Sequence, residues 1–154
     1  MQKISTCLLF DDQAEQTVKF YTSRFNNSKV LETAYYTEEG RGENVKVMTI
    51  TFEIEGQRFM VLDGGPEIIF THAVSFMVDC KTQEEVDSYW NHLLNDGEAE
   101  QCGWQTDKFG VSWQILPTLL NELMQVDDPE RNKLVMQEML KMVKLDTDLL
   151  KKAY

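Results

Sequence analysis

The chain has 154 residues, of which 42% are hydrophobic and 10% aromatic, and its formal net charge is -11, from 26 acidic and 15 basic side chains. This apolar content is enough for a hydrophobic core and excludes a disordered chain. The acidic surface repels phosphate backbones and anionic membranes, so we expect neither a nucleic-acid nor a membrane partner. For this length we expect a single domain spanning residues 1–154.

The start of the chain and its cysteines indicate a compartment. Residues 1–10 lack the basic start and long apolar run of a secretory signal, and no stretch nears the roughly 18 apolar residues of a membrane span. Cys7, Cys80 and Cys102 are widely spaced and form no CxxC pair. Reduced thiols in a cytoplasmic protein are the simplest interpretation.

The first half of the chain, residues 1–66, predicts a strand, a helix and three further strands. Asp12 with Glu15 three residues later resembles a capping box, and apolar residues at helical spacing follow it for about 14 residues. A polar, glycine-containing loop is expected at residues 38–44. The predicted strands are Lys3–Phe10, Lys29–Thr37, Val45–Glu55 and Arg58–Asp63.

The second half, residues 72–117, repeats this order. A strand at His72–Cys80 precedes a capping box at Thr82–Glu85 and a helix, which Gly97 is placed to close in the left-handed conformation. Strands at Glu98–Trp104 and Val111–Leu116 follow. The shared order and the aromatic pairs Phe20-Tyr21 and Tyr89-Trp90 predict two similar modules that bury their open sheets by pairing, with a cleft between them.

The stretch Cys102–Pro117 predicts a hairpin with a tight turn at Asp107–Gly110. Alternation along its second strand places Gln114 on the face opposite Trp113. Gln114 is therefore a polar side chain on a face shared with Leu116. Asp107, like Asp63 at the end of the fourth strand, is expected to cap a turn.

After Pro117 the chain predicts helices across residues 118–154. Asp128-Pro129 is a typical helix start, and a broad apolar stripe follows it. Four of the eight methionines fall between Met124 and Met142. Packing of this region against the sheet is one interpretation; a dimer contact or a soft lid over the cleft are the others.

Several chemistries find no support in the residues. The chain has no GxGxxG fingerprint and no phosphate-binding loop. A cysteine nucleophile needs a nearby base, and the only histidines are His72 and His92. A metal centre needs three or four convergent ligands, for which His72 alone is a poor start.

Short motifs recur along nearly the whole chain, and together they carry a family resemblance. They are Leu9-Phe10-Asp11, Ala14-Glu15, Phe20-Tyr21, Gly64-Gly65-Pro66, Ser75-Phe76, Glu84-Glu85-Val86-Asp87, Tyr89-Trp90, Cys102-Gly103-Trp104 and Ser112-Trp113-Gln114-Ile115. With these motifs the chain resembles the PhnB-like branch of the vicinal oxygen chelate superfamily, which includes glyoxalase I, bleomycin-resistance proteins and extradiol dioxygenases. Members of this branch are often labelled 3-demethylubiquinone-9 3-methyltransferase-like.

The resemblance implies paired βαβββ modules and a homodimer. Together with the predicted elements, it gives an α+β fold in which the second module is shortened and the C-terminal tail is helical.

Metal-using members of the superfamily place His, Glu, His and Glu on four strands that line the cleft. The resemblance maps these positions to Thr6, to Met60 or Leu62, to Ala73 or Ser75, and to Gln114. His72 is then one residue off and is expected to point to the opposite face. None of these side chains is a strong metal ligand, so the sequence predicts no metal and no other cofactor.

The sequence therefore predicts a protein that binds a small molecule without metal. Tryptophan would supply a flat apolar wall, and the amide and hydroxyl groups would orient a polar group of the ligand. The alternatives are an enzyme, whether lyase, isomerase, dioxygenase or methyltransferase, and a structural dimer with a filled cleft. The expected cleft residues are Thr6, Thr49, Met60 or Leu62, Ser75, Trp104 and Gln114.

Overall fold

A computed structural model describes residues 2–36, 46–66 and 68–154. Across these residues the chain has eight strands and five helices, which confirms the α+β prediction. It forms two compact units, Met1–Ile69 and Phe70–Tyr154, and each unit contains one sheet. The polar loop predicted at residues 38–44 lies outside the described residues.

The first unit is a βαβββ module. Its sheet has the strand order β1-β4-β3-β2, with β1 parallel to β4 and the other pairs antiparallel. The strands match the sequence prediction within a few residues. The elements are β1 (Thr6–Phe10), α1 (Ala14–Arg24), β2 (Ser28–Tyr35), β3 (Val47–Ile54) and β4 (Gln57–Asp63).

Helix α1 packs on one face of the first sheet through aromatic contacts. The Tyr21 and Phe52 rings stack at 6.4 Å, and the Phe52 and Phe59 rings stack at 5.5 Å. All three residues are buried. Helix α1 thus packs against the apolar side of β3, and the opposite face of the sheet is left for other contacts.

The start of α1 differs from the sequence prediction. Asp12 does not cap the helix: its φ is 57°, and Gln13 occupies the cap position without a side-chain cap. The Asp63 carboxylate instead accepts hydrogen bonds from the backbone N–H groups of Gln13 and Ala14, both at 3.0 Å. Asp63 reaches the helix start because β4 runs beside β1, where Asp63 pairs with Phe10.

The pH dependence of this cap follows from its pKa. Burial raises the pKa of the Asp63 carboxyl above 3.8, although the hydrogen bonds from Ala14 and Gln13 act in the opposite direction. A raised folded-state pKa means that Asp63 stabilises the fold when protonated, and this contribution is lost as the pH rises through that pKa. Asp63→Asn should therefore gain stability relative to wild type as the pH rises from about 4 to 7. Urea unfolding of both proteins across this range measures the effect.

Asp63→Ala is the matched variant that removes the acceptor. It should be about 1 kcal/mol less stable than Asp63→Asn at every pH, because neither variant titrates and the N–H groups of Gln13 and Ala14 lose their partner only in the alanine variant. A pH-independent difference between wild type and Asp63→Asn would contradict the raised pKa.

The second unit repeats the βαβββ order and adds three helices. Its sheet has the order β5-β8-β7-β6, with β5 parallel to β8 and the other pairs antiparallel. The elements are β5 (Phe76–Cys80), α2 (Gln83–Leu94), β6 (Glu98–Ala99), β7 (Trp104–Thr106), β8 (Ser112–Pro117), α3 (Thr118–Met124), α4 (Pro129–Met139) and α5 (Thr147–Ala153).

The second module is not shortened in its number of strands, contrary to the prediction. The single strand predicted at 98–104 is two strands, because Cys102 and Gly103 have φ values of 59° and 83° that no strand accommodates. The predicted strand at 72–80 begins only at Phe76. The hairpin of β7 and β8 and its turn at Asp107–Gly110 are confirmed by the pairing and by the Gly110 N–H bond to the Asp107 carbonyl.

The ends of α2 agree with the prediction at one terminus only. The Thr82 hydroxyl accepts from the Glu85 N–H at 3.1 Å, as a capping residue does. At the other end Asp96, not Gly97, has the left-handed conformation, with a φ of 60°. Gly97 is needed for space, because a Cβ there would collide with the Thr106 carbonyl oxygen.

The C-terminal helices pack within the second unit. Asp128 caps α4 by accepting from the Arg131 N–H, as predicted. A buried cluster of Val135, Met142, Leu145 and Leu150 packs against Leu116 of β8 and against α3. The N–H groups of Cys102 and Gly103 donate to the carbonyls of Met142 and Val143. These contacts favour the packing interpretation of the C-terminal region.

Candidate functional site

The second sheet packs α2 on one face and leaves the other face for different contacts. Phe76 and Trp113 lie together on the α2 side, with ring centroids 5.4 Å apart, and Gln105 donates there to the Trp90 carbonyl. The opposite side is named here the Gln114 face. Strand alternation and pairing assign to it Ser75, Met77, Trp104, Gln114 and Leu116.

The Gln114 face brings together the three residues predicted for the second module. Trp104 lies directly opposite Gln114 in the β7–β8 pair, and Gln114 Nε2 donates to Ser75 Oγ at 2.9 Å. The side-chain oxygen of Gln114, Oε1, has no hydrogen-bond partner in the described part of the chain. A partly exposed indole therefore stands beside an amide oxygen that is free to accept from a ligand.

The first sheet has a corresponding surface, named here the Met60 face, opposite α1. Met60 pairs with Cys7, and Leu62 pairs with both Leu9 and Thr49. These five residues define the face. Thr49, Met60 and Leu62, all predicted for the cleft, thus share one side of the first sheet, with Cys7 and Leu9 beside them.

Thr6 is not on the Met60 face. It pairs with Phe59, whose side chain is buried, and it alternates with the buried Leu8 and Phe10. Thr6 therefore lies on the α1 side of the first sheet, and Cys7 is the residue of β1 on the opposite side. A shift of one residue is enough to reverse the face, and the sequence alone does not fix the register.

The residues do not fit the divalent metal that some superfamily members use. Of the four mapped positions, Thr6 lies on the helix side, and Met60 and Leu62 carry no ligand atom suited to a hard cation. At the other two, Ser75 and Gln114 are neutral and bonded to each other. Across residues 2–36, 46–66 and 68–154, no group of three or more His, Cys, Asp or Glu side chains is arranged to hold a metal ion.

The cysteines differ in exposure, and this predicts their reactivity. Cys7 is exposed on the Met60 face, whereas Cys80 is fully buried. Burial raises the pKa of the Cys80 thiol to about 12, with Glu85 and Asp79 adding to the effect. In native protein near pH 8 we expect a disulfide reagent to modify Cys7 readily and Cys80 only after unfolding.

Mass mapping of the modified peptides measures this expectation. Cys7→Ser is the matched variant and should remove the modification of that peptide without changing the protection of Cys80. Modification of Cys80 in the native state at the rate of Cys7 would contradict the burial.

A hydrogen-bonded chain near the Gln114 face was missed from the sequence. His72 Nδ1 lies 2.8 Å from Ser112 Oγ, and His72 Nε2 lies 3.4 Å from a Glu100 carboxylate oxygen. Ser112 alternates with Gln114, so the prediction that His72 points to the opposite face is wrong. That prediction extended the alternation of β5 back to residue 72, but β5 begins only at Phe76.

The hydrogen-bonded residues Ser112, His72 and Glu100 are the residue types of a hydrolase triad, but the serine is not accessible. Ser112 is 2% exposed, so its hydroxyl cannot reach a substrate. The imidazole and Glu100 instead fix the segment before β5 to the sheet. No sequence signal links residues 72, 100 and 112, since their spacing has no motif.

Asp107 caps its turn, as the sequence predicts, and also holds Trp113. One carboxylate oxygen accepts from the N–H groups of Phe109 and Val111, at 2.9 and 3.1 Å, and the other accepts from Trp113 Nε1 at 2.9 Å. The residue is 3% exposed. Asp107 therefore stabilises the start of β8 and the Trp113 side chain, and it does not lie on the Gln114 face.

Two βαβββ modules, each with its helix on one face of a four-stranded sheet, are typical of a glyoxalase-like protein. The sequence profile of the 3-demethylubiquinone-9 3-methyltransferase family matches residues 2–116. The chain belongs to this family, which confirms the resemblance seen in the sequence, and with it to the vicinal oxygen chelate superfamily.

Solved structures are similar to this chain at several levels of identity. A putative 3-demethylubiquinone-9 3-methyltransferase, PhnB protein, from Bacillus cereus is 38% identical; the match covers 75% of this chain and 99% of that one, with a TM-score of 0.69. A Pseudomonas aeruginosa protein is 17% identical over 76% of this chain and 98% of that one, with a TM-score of 0.65. No curated protein sequence matches the chain.

A more distant structure shows the fold alone. The fosfomycin resistance protein FosX from Listeria monocytogenes, in a complex with Mn(II) and sulfate, is 16% identical over 75% of this chain and 92% of that one, with a TM-score of 0.55.

In the part of this chain that the structure describes, no helix is long and apolar enough to cross a membrane.

Proposed function

We propose that this protein binds a small organic molecule on the Gln114 face, without a metal ion. The observation that carries the proposal is the group of Ser75, Trp104 and Gln114. The indole offers a flat apolar wall, and the Gln114 oxygen is oriented by the bond from its own amide to Ser75. This combination orients a ligand that has an aromatic or aliphatic body and a hydrogen-bond donor.

A second candidate surface is the Met60 face of the first unit, taken by itself. There Cys7 replaces Thr6 among the predicted cleft residues, beside Thr49, Met60 and Leu62. Cys7 and Thr49 are weak hydrogen-bonding groups, and Leu9, Met60 and Leu62 are apolar. This surface suits a ligand that is held mainly by burial of its apolar surface.

Binding is a better account than catalysis for the groups on these faces. Asp63 and Asp107, the two acids that the sequence offers as candidates, both accept backbone N–H bonds that shape the fold. An enzyme would need a different ionisable group. As in the sequence prediction, we propose a cytoplasmic homodimer with no nucleic-acid or membrane partner.

A ligand screen tests the proposal. Chelator-treated protein is screened against organic small molecules by thermal shift, and the hits are titrated while tryptophan fluorescence is followed. Trp90 and Trp113 are 5% and 4% exposed, so Trp104 is the tryptophan that a ligand can reach. The fluorescence response should disappear in Trp104→Phe.

Gln114→Ala should weaken a hit about tenfold, since one hydrogen bond to the ligand is lost. Gln16→Ala, an exposed glutamine on α1, is the matched control and should leave the affinity unchanged. Hits that bind Gln114→Ala with wild-type affinity and leave Trp104 unaffected would overturn the proposal.

A further inference from the structure

An apolar hollow adjoins the Gln114 face at its C-terminal end, and its volume is about 420 Å³. Two strands supply one wall, and α3 supplies the other. The side chains that define the hollow are Met77, Asp79, Leu116, Leu120, Asn121 and Met124.

The hollow is continuous with the proposed ligand site. Met77 pairs with Gln114, and the next residues on the same face, Asp79 and Leu116, pair with each other. Two residues along a strand span roughly 7 Å. A ligand held at Ser75 and Gln114 thus needs only a short apolar extension to enter the hollow.

Among the described residues, the strand side of the hollow is left open. Met77, which lies on the strand wall, is 66% exposed. The wall formed by α3 lies beyond residue 116, where the family match ends, so this hollow is an addition of the C-terminal segment. Its volume falls in the range of small-molecule sites.

The charge of the hollow selects its occupant. Asp79 is the charged residue that lines it, and no Lys, Arg or His is among the described residues around it. One Asp79 oxygen accepts from the Thr118 hydroxyl at 3.0 Å, and the other has no partner in the described part of the chain. An apolar trough with a carboxylate at its rim, in a chain of net charge -11, favours a cation and disfavours an anion.

We infer that the ligand of this protein is an amphipathic amine, whose apolar body fills the hollow and whose ammonium group pairs with Asp79. The inference rests on the proposed small-molecule function and specifies the class of the ligand. Met77 and Met124 supply soft apolar surface that adapts to the shape of the body. The Asn121 side chain offers a second polar contact at the rim.

Three probes with the same chain length and different heads test the inference: octylammonium, octanol and octanoate, each below its micelle concentration. Binding is followed through the ¹³C-methyl signals of Met77 and Met124, assigned with Met77→Leu and Met124→Leu. Octylammonium should shift both signals and bind about threefold more tightly than octanol, as expected for an exposed ion pair, and octanoate should bind most weakly.

Asp79→Asn should remove the preference for octylammonium while the apolar body still binds. Asp96→Asn makes the same charge change at an exposed residue of the same unit and should leave the preference unchanged. Equal affinity for the three heads, or no shift of Met77 and Met124, would overturn the inference. Concentration-dependent shifts of these methyls without probe would also overturn it, by showing that a second copy covers the hollow.

Failure of the inference and failure of the proposed function give different results. If the hollow is wrong but the Gln114 face binds ligands, screened hits will still depend on Trp104 and Gln114 while the methionine signals stay unchanged. If the proposed function is wrong, octylammonium will shift Met77 and Met124 but Gln114→Ala will not alter any hit.

Discussion

Asp107→Ala is expected to lower the free energy of unfolding by about 3–5 kcal/mol. The substitution removes the acceptor of three hydrogen bonds, including those from the buried Val111 N–H and Trp113 Nε1. Each buried unsatisfied donor costs roughly 1–3 kcal/mol. Urea unfolding at pH 7, followed by circular dichroism, measures the loss.

Asp107→Asn separates hydrogen bonding from shape. The asparagine amide has one acceptor oxygen and one donor nitrogen, so it cannot accept from both the turn N–H groups and Trp113. We expect an intermediate loss of about 2 kcal/mol. A loss below about 1 kcal/mol for the alanine variant would contradict the supporting role of Asp107 and reopen its candidacy as a functional acid.

Leu145→Ala is expected to cost about 2–5 kcal/mol. Leu145 is fully buried in the C-terminal cluster, and its side chain packs against Gly103, where an added Cβ would lie 3.1 Å from Leu145 Cδ1. Its carbonyl also accepts from Gln83 Nε2 at 3.1 Å. The variant leaves a cavity at the point where the C-terminal segment joins the second unit, and thermal or urea unfolding measures its cost.

Leu149→Ala is the matched control, because Leu149 lies four residues later and is 41% exposed. Its loss should stay near 0.5 kcal/mol. If Leu145→Ala were equally mild, the C-terminal helices would not be part of the core of the second unit, and the α3 wall of the hollow would lose its support.

The fold was largely predictable because its signals are local. Alternation in β3, β4 and β8 and the helical spacing in α1 and α2 identify the elements, and Thr82 and Asp128 cap their helices as their residue types predict. The family motifs in residues 2–116 then supply the order of the strands. Each of these signals lies within one element or its immediate neighbours.

The sequence predictions of the helix ends are wrong where a residue far away in the sequence determines the local structure. Asp63, 49 residues from Ala14, caps α1 because β4 pairs with β1, and Asp12 is bypassed. The left-handed residue after α2 is Asp96, because Gly97 is required for clearance from Thr106. Neither the pairing nor the clearance is visible in a window of sequence.

The sheet face on which each candidate residue lies was predictable in the second module and only partly in the first. Ser75, Trp104 and Gln114 come together because hairpin alternation fixes two of them. Thr6 follows from the resemblance, which maps a position of β1 by counting back from Phe20-Tyr21 in α1. An offset of one residue places Thr6 on the α1 side instead. The contact of His72 with Ser112 depends on an irregular segment that has no periodic signal.

Metal-free binding is tested most directly by the affinity of the first screened ligand, measured through Trp104 fluorescence. The affinity is measured in chelator and again after addition of Zn²⁺, Ni²⁺, Mn²⁺ or Fe²⁺, and the metal content of each sample is determined. We predict the same affinity in every sample, loss of affinity in Gln114→Ala, and no stoichiometric metal. Ligand binding that requires one metal ion per chain would contradict the account and would make metal-dependent chemistry of the superfamily the better description.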